Sequence, residues 1–127
     1  SGDCDLPFWI GFHPWFPREL GRGGSAEIEF TAGKMFERGP DYLPNGKLIT
    51  PTARPWDDAF TEVRGVPTVY WEDAISIKIE SDTPYWVVYD QDPEGVCIEP
   101  QTAPPDAQNL RITGDSYIES LFIFEEI

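Results

Sequence analysis

Thirteen prolines and eleven glycines are spread along this chain of 127 residues, and no window between them sustains a helical period. Proline fixes φ and removes a backbone donor, and glycine weakens regular structure, so punctuation every several residues favours short strands joined by turns. The clearest strand is Ala74 to Glu80, where Ile75, Ile77 and Ile79 alternate with Ser76 and Lys78. Further strands are expected at Ala26 to Phe30, Ala59 to Val63, Thr68 to Trp71, Tyr85 to Tyr89, Gly95 to Glu99 and Tyr117 to Phe124. Loops are expected at Gly21 to Ser25, Gly39 to Gly46, Thr50 to Asp58, Asp90 to Glu94 and Pro100 to Gln108. The expected architecture is all-β, an antiparallel β-sandwich.

The length fits one ordinary domain, residues 1–127, and the apolar and aromatic content supplies a core. A formal net charge of −14, with the acids scattered along the chain, repels phosphate backbones and anionic membranes. Nucleic acid, membrane and phosphorylated ligands are therefore disfavoured, and neutral ligands stay open. Arg54, beside the long loop, is the one feature that keeps a phosphosugar in play. No stretch reaches the roughly 20 apolar residues of a membrane span, and no signal-peptide order opens the chain. A soluble, cytoplasmic protein is the expectation.

Proton chemistry can rest on one histidine and one glutamate. His13 lies in Gly11-Phe12-His13-Pro14-Trp15-Phe16, and Glu99 ends the apolar run Val96-Cys97-Ile98-Glu99 before Pro100. Alternation puts Val96 and Ile98 on the core face and Cys97 with Glu99 on the other, with Pro100 expected to end the strand. On residue type alone, Glu99 reads as a solvated surface group and His13, among aromatics, as a hydrogen-bonded core residue. The functional reading makes them an acid and a base. Asp57 and Asp58 either cap a turn or accept hydrogen bonds from ligand hydroxyls. Trp9, Trp15 and Trp56 are candidate stacking platforms for a sugar ring. With one histidine and two distant cysteines, Cys4 and Cys97, a zinc or copper site would need acids for nearly all its ligands, so no metal is expected. Both thiols read as ordinary small buried groups.

These segments resemble, in order, the motifs of the aldose 1-epimerase (galactose mutarotase) family. Gly11-Phe12-His13-Pro14-Trp15-Phe16 is similar to its histidine motif, Asp57-Asp58-Ala59-Phe60 to its aspartate motif and Cys97-Ile98-Glu99-Pro100-Gln101-Thr102 to its glutamate motif. Leu43-Pro44-Asn45-Gly46 resembles the turn between the first two. The resemblance implies a supersandwich fold and interconversion of α and β anomers of a neutral aldohexose without a cofactor. It implies Glu99 as general base and His13 as general acid, with Asp57, Trp15 and Gln101 holding the monosaccharide. Family members are longer, and these motifs belong to their C-terminal part. Their N-terminal sugar-holding arginine and second histidine have no counterpart, and Val87 stands at the position of a pocket glutamine. A chain with only the later strands has edges to offer, so a homo-oligomer or a complementing partner chain is expected. The competing expectations are a non-catalytic carbohydrate-binding module and an assembly fragment completed by a partner.

Overall fold

The computed structural model describes residues 11–41, 43–102 and 119–127. Eight antiparallel strands form a single folded sheet, and no helix occurs among these residues. The strands are β1 (Trp15–Pro17), β2 (Ala26–Arg38), β3 (Pro44–Ile49), β4 (Asp57–Trp71), β5 (Ile75–Glu80), β6 (Tyr85–Tyr89), β7 (Gly95–Gln101) and β8 (Leu121–Glu126). Among the described residues no helix is long and apolar enough to cross a membrane.

Two wings share β2 and β4. The first half of β4 pairs β6, which continues through β7 to β1, while its second half pairs β5 and then β8. Between the halves the β2–β4 register jumps from Glu29 opposite Thr68 to Thr31 opposite Arg64. Extra β4 residues around Gly65 (φ 72°) and Pro67 form the bulge that bends the strand, a conformation glycine adopts without a Cβ penalty. The sequence placed two strands here, Ala59 to Val63 and Thr68 to Trp71, because glycine and proline read as a break. The chain bends and stays paired instead.

Folding one wing over the other closes the core. Phe16 from β1 packs edge-on against Trp71, at a centroid distance of 6.4 Å, and meets Phe122 of β8 at 6.5 Å. The Trp71 indole N–H donates to the Pro17 carbonyl at 3.0 Å, so the largest buried ring also satisfies its polar atom. Phe60, Val69, Ile79, Trp86, Val88, Val96 and Ile98 fill the interior from both wings. The expected sandwich is present, made from one continuous sheet.

Several expected boundaries shift. Pro44 to Gly46, expected in a loop, belong to β3, hairpinned on Arg38. Asp57 and Asp58 belong to β4, and the preceding loop tucks Trp56 into the core rather than offering it as a platform. Its indole donates to the Thr52 carbonyl and its ring packs on Phe60 at 4.8 Å. Arg54 is used structurally: Nε meets Asp90 Oδ2 at 2.7 Å and Nη1 reaches the Ile28 carbonyl at 3.2 Å, so it is not poised for a phosphate. Of the strand expected from Tyr117, residues 117 and 118 lie outside the described part, as do Cys4, Trp9 and most of the expected loop after Gln101.

Candidate active site

Glu99 and His13 meet through sheet register. The first described segment runs antiparallel to β7, with Gly11 bridged to Gln101 and Trp15 paired with Cys97. His13 lies midway between these partners, opposite Glu99. The Phe12 N–H donates to the Pro100 carbonyl at 3.0 Å, locking this register next to the pair. His13 Nε2 then stands 3.3 Å from Glu99 Oε2. The groups are in direct contact, with no sugar-sized gap between them.

Pro100 does not end the strand. β7 continues to Gln101, with Pro100 opposite Trp86. In an antiparallel strand a residue's N–H and C=O point to the same neighbour, and the Pro100 carbonyl faces Phe12. The donor that proline lacks is thus missing only on the side of the short edge segment, while the β6 side keeps its ladder.

Burial reverses both expectations from residue type. The Glu99 side chain is only 8% exposed, although it points away from the core face, whereas His13 is 72% exposed. Glu99 is enclosed because its strand is interior: Val87 lies opposite on β6, and Gln101 lies two residues on, on the same face. Desolvation pushes the Glu99 carboxyl above the ordinary glutamate range, and the nearby negative charge of Asp57 adds to the rise; His13 and the Gln101 amide pull the other way. The aromatic neighbours Phe12 and Trp15 are both substantially exposed and do not enclose the imidazole.

The other expected residues gather on the same side. Gln101 Nε2 donates to Glu99 Oε1 at 3.3 Å. Its own Oε1 is buried with no hydrogen-bond partner among the described residues. Trp15 stands over Gly95, where a Cβ would come within 2.2 Å of the indole, so glycine is what lets the ring lie flat against β7. Asp57, half exposed, pairs with Tyr89 on β6, and Tyr89 pairs with Cys97. It borders a small cavity of about 110 Å³ lined by Arg38, Asp58, Ala59 and Val87 among others. Arg38 bridges Asp58 at 3.2 Å and Asp57 at 4.0 Å. Asp58 also accepts the Asp57 backbone N–H, so the capping role expected of this pair falls to Asp58.

Sequence reasoning missed Arg38 and underrated Cys97. Arg38 carried no signal, since nothing in the chain marks a cation at the end of a long strand as facing two aspartates. Cys97 is a free, buried thiol, and its Sγ, a His13 ring nitrogen and a Glu99 oxygen all lie within 4.8 Å of one another. The fold thus brings a histidine and a cysteine beside one acid, where the sequence pointed to acids for nearly all the ligands of such a site. Burial, then the charges of Glu99 and Asp92, pushes the Cys97 thiol up to about 11. A larger groove of about 540 Å³ opens elsewhere, between the β4 bulge and the β5–β6 turn. Its lining offers acids without a histidine, cysteine or cation, so it holds no carboxylate–imidazole contact of the kind found on the β1–β7 face.

No protein-family model matches the chain, and no curated relative does. Solved structures share its fold, among them the following two. A candidate aldose 1-epimerase from Escherichia coli K12 superposes with a TM-score of 0.66 at 19% identity, over 96% of this chain and 52% of the other. A galactose mutarotase-like protein from Clostridium acetobutylicum gives a TM-score of 0.68 at 16% identity, over 95% of this chain and 48% of the other. The fold is thus galactose mutarotase-like, and the chain spans about half the length of these proteins.

Proposed function

We propose that this chain carries the acid–base pair of an aldose 1-epimerase-like reaction on a neutral aldohexose. The observation that carries the reading is the contact between a buried carboxylate, Glu99, and an exposed imidazole, His13, on one sheet face. A desolvated carboxylate is a stronger base than a hydrated one, and a histidine on an edge segment can give and regain a proton with little structural cost. Glu99 accepts the proton of the anomeric hydroxyl while the imidazolium of His13 donates one to the ring oxygen. The bond between the anomeric carbon and the ring oxygen breaks, and the exocyclic oxygen becomes a carbonyl. Rotation about the adjacent carbon–carbon bond presents the other carbonyl face, closure forms the opposite anomer, and both protons return. Protons and electrons balance without a further reactant.

Because the two side chains touch, a bound sugar must separate them. The exposed, edge-held His13 is the partner that moves, and Glu99 stays fixed by Gln101 and its strand. Asp57 is the acceptor offered to sugar hydroxyls, the partnerless but buried Gln101 Oε1 becomes a second one only when the edge segment moves aside, and Trp15 is the stacking face. Polarimetric mutarotation of freshly dissolved α-glucose or α-galactose is the test. Catalysis that survives both Glu99→Gln and His13→Asn refutes the assignment.

The open site favours a second reading, a carbohydrate-binding module or a fragment completed by a second chain. Half of the neighbours' length has no counterpart here, and β8 exposes Leu121 and Phe124 beside a strand edge. Sugar binding by calorimetry with no rotation change above buffer selects the binding module. Activity that appears only in an oligomer resolved by light scattering selects the completed fragment.

A further inference from the structure

We propose that His13, Cys97 and Glu99 form a binding site for a borderline divalent transition-metal ion of the Zn²⁺ class, and that the bound ion switches off the acid–base pair. The binding half of this inference stands on the donor geometry alone; the switching half rests on the epimerase-like reading.

The donors are one imidazole nitrogen, one thiol sulfur and one carboxylate oxygen, a mixed set that suits Zn²⁺ and Co²⁺ and is poor for Mg²⁺ or Ca²⁺. Sheet geometry brings them together: Cys97 and Glu99 are two residues apart on one face of β7, and His13 is carried by the adjacent segment. The His13 Nε2 to Glu99 Oε2 separation of 3.3 Å is close to the edge of a tetrahedron with metal–ligand bonds of about 2 Å. The thiol, within 4.8 Å of a His13 ring nitrogen and a Glu99 oxygen, needs only a small side-chain adjustment to complete a third corner. Gln101 holds Glu99 Oε1 from behind, leaving Oε2 directed at the imidazole, the kind of outer hydrogen bond that orients a metal ligand. The fourth corner faces the side on which His13 is exposed, open to a water. Asp57 and Asp92 act electrostatically on this cluster, and the net charge of −14 favours cations throughout. An ion held there occupies the carboxylate oxygen and imidazole nitrogen that would otherwise exchange protons with a sugar.

Co²⁺ titrated into the full chain is the probe, in a Cys4→Ser background so that Cys97 is the sole thiol. Binding of one Co²⁺ per chain should produce a thiolate-to-cobalt charge-transfer band in the near ultraviolet and tetrahedral d–d bands in the visible, both bleached by Zn²⁺. Cys97→Ser should abolish the charge-transfer band. His13→Ala, a change at an exposed residue that leaves the fold intact, should weaken binding more than about 100-fold, beyond the 10–100-fold expected when an orienting residue such as Gln101 is removed. No band in the parent protein, or a band unaltered by Cys97→Ser or His13→Ala, overturns the site. If the metal-free protein is active, Zn²⁺ should stop mutarotation and a chelator should restore it; undiminished activity with one Zn²⁺ bound overturns the switch. A protein that binds Co²⁺ as described yet never catalyses mutarotation refutes the epimerase reading and leaves the metal site standing.

Discussion

Glu99→Gln separates stability from activity. The substitution keeps the shape of the side chain and the carbonyl oxygen that accepts from Gln101 at 3.3 Å, a bond worth about 1 kcal/mol. It removes the contact with His13, but that imidazole is 72% exposed, so the ion pair contributes only about 0–1 kcal/mol. Against this small loss stands relief of the desolvation that raises the Glu99 carboxyl. A carboxyl raised in the folded state gives its full stabilisation below the unfolded value, about 4.3, and loses it as pH climbs through the raised folded value. The parent protein should therefore weaken across that window while Glu99→Gln does not, so the variant gains relative stability as pH climbs from about 4.3 through the raised folded value. At the upper end the two should lie within about 1 kcal/mol of each other, or the variant above. Removing a general base should nevertheless cost about 10²–10⁴ in rate, equivalent to about 3–5 kcal/mol of barrier. Urea denaturation at both ends of the window, beside polarimetry in chelator, reads both quantities. A variant destabilised by more than about 2 kcal/mol at the upper pH, or one that keeps full activity, refutes the reasoning.

Cys97 gives a second pH signature: with the thiol raised from 9.0 to about 11, its contribution is intact below about pH 9 and is lost as pH rises through 11. Comparing the parent with Cys97→Ala over that range should show a difference of about 2–3 kcal/mol, and parallel curves count against it. In a Cys4→Ser background, iodoacetamide at about pH 8 should modify Cys97 very slowly, since about one molecule in a thousand carries the thiolate. Gly95→Ala should cost about 1–3 kcal/mol and disturb the Trp15 environment, because the new Cβ falls 2.2 Å from the indole and 2.9 Å from the Phe16 carbonyl; unchanged fluorescence and urea midpoint would contradict the packing. Asp90→Ala strands the Trp56 N–H and releases Arg54, a loss of about 2–3 kcal/mol after discounting for the part-exposed guanidinium, measured by denaturation, and a change under about 0.5 kcal/mol argues against it.

Local patterns carried the strand content well. The alternation of Ile75, Ile77 and Ile79 marks β5 directly, and the apolar runs at Tyr85 and Gly95 mark β6 and β7, since side-chain period is a local property. The extension of β7 through Pro100 was not legible, because it depends on which neighbour the absent donor would have faced. The union of two expected strands into β4 escaped for the same kind of reason: Gly65 and Pro67 stop a strand only if no partner spans them, and β2 does. At the site, Glu99 and His13 were visible as residue types, but their exposures came out inverted. Burial there is decided by whether a strand is interior or at an edge, a fact set by topology. Arg38 joined the site by proximity across strands, which a single chain does not announce, whereas Cys97, two residues before Glu99 on the same face of β7, was legible by alternation but read as an ordinary small buried thiol.

The donor that Pro100 lacks on the side of Phe12 has an evolutionary consequence. The imidazole hangs from the rim of the sheet on a segment that precedes β1 and its core residue Phe16, while the carboxyl is built into an interior strand. Descendants of such a protein can lose, exchange or borrow the rim residue from another polypeptide and still fold, so chemistry should diversify on that side first.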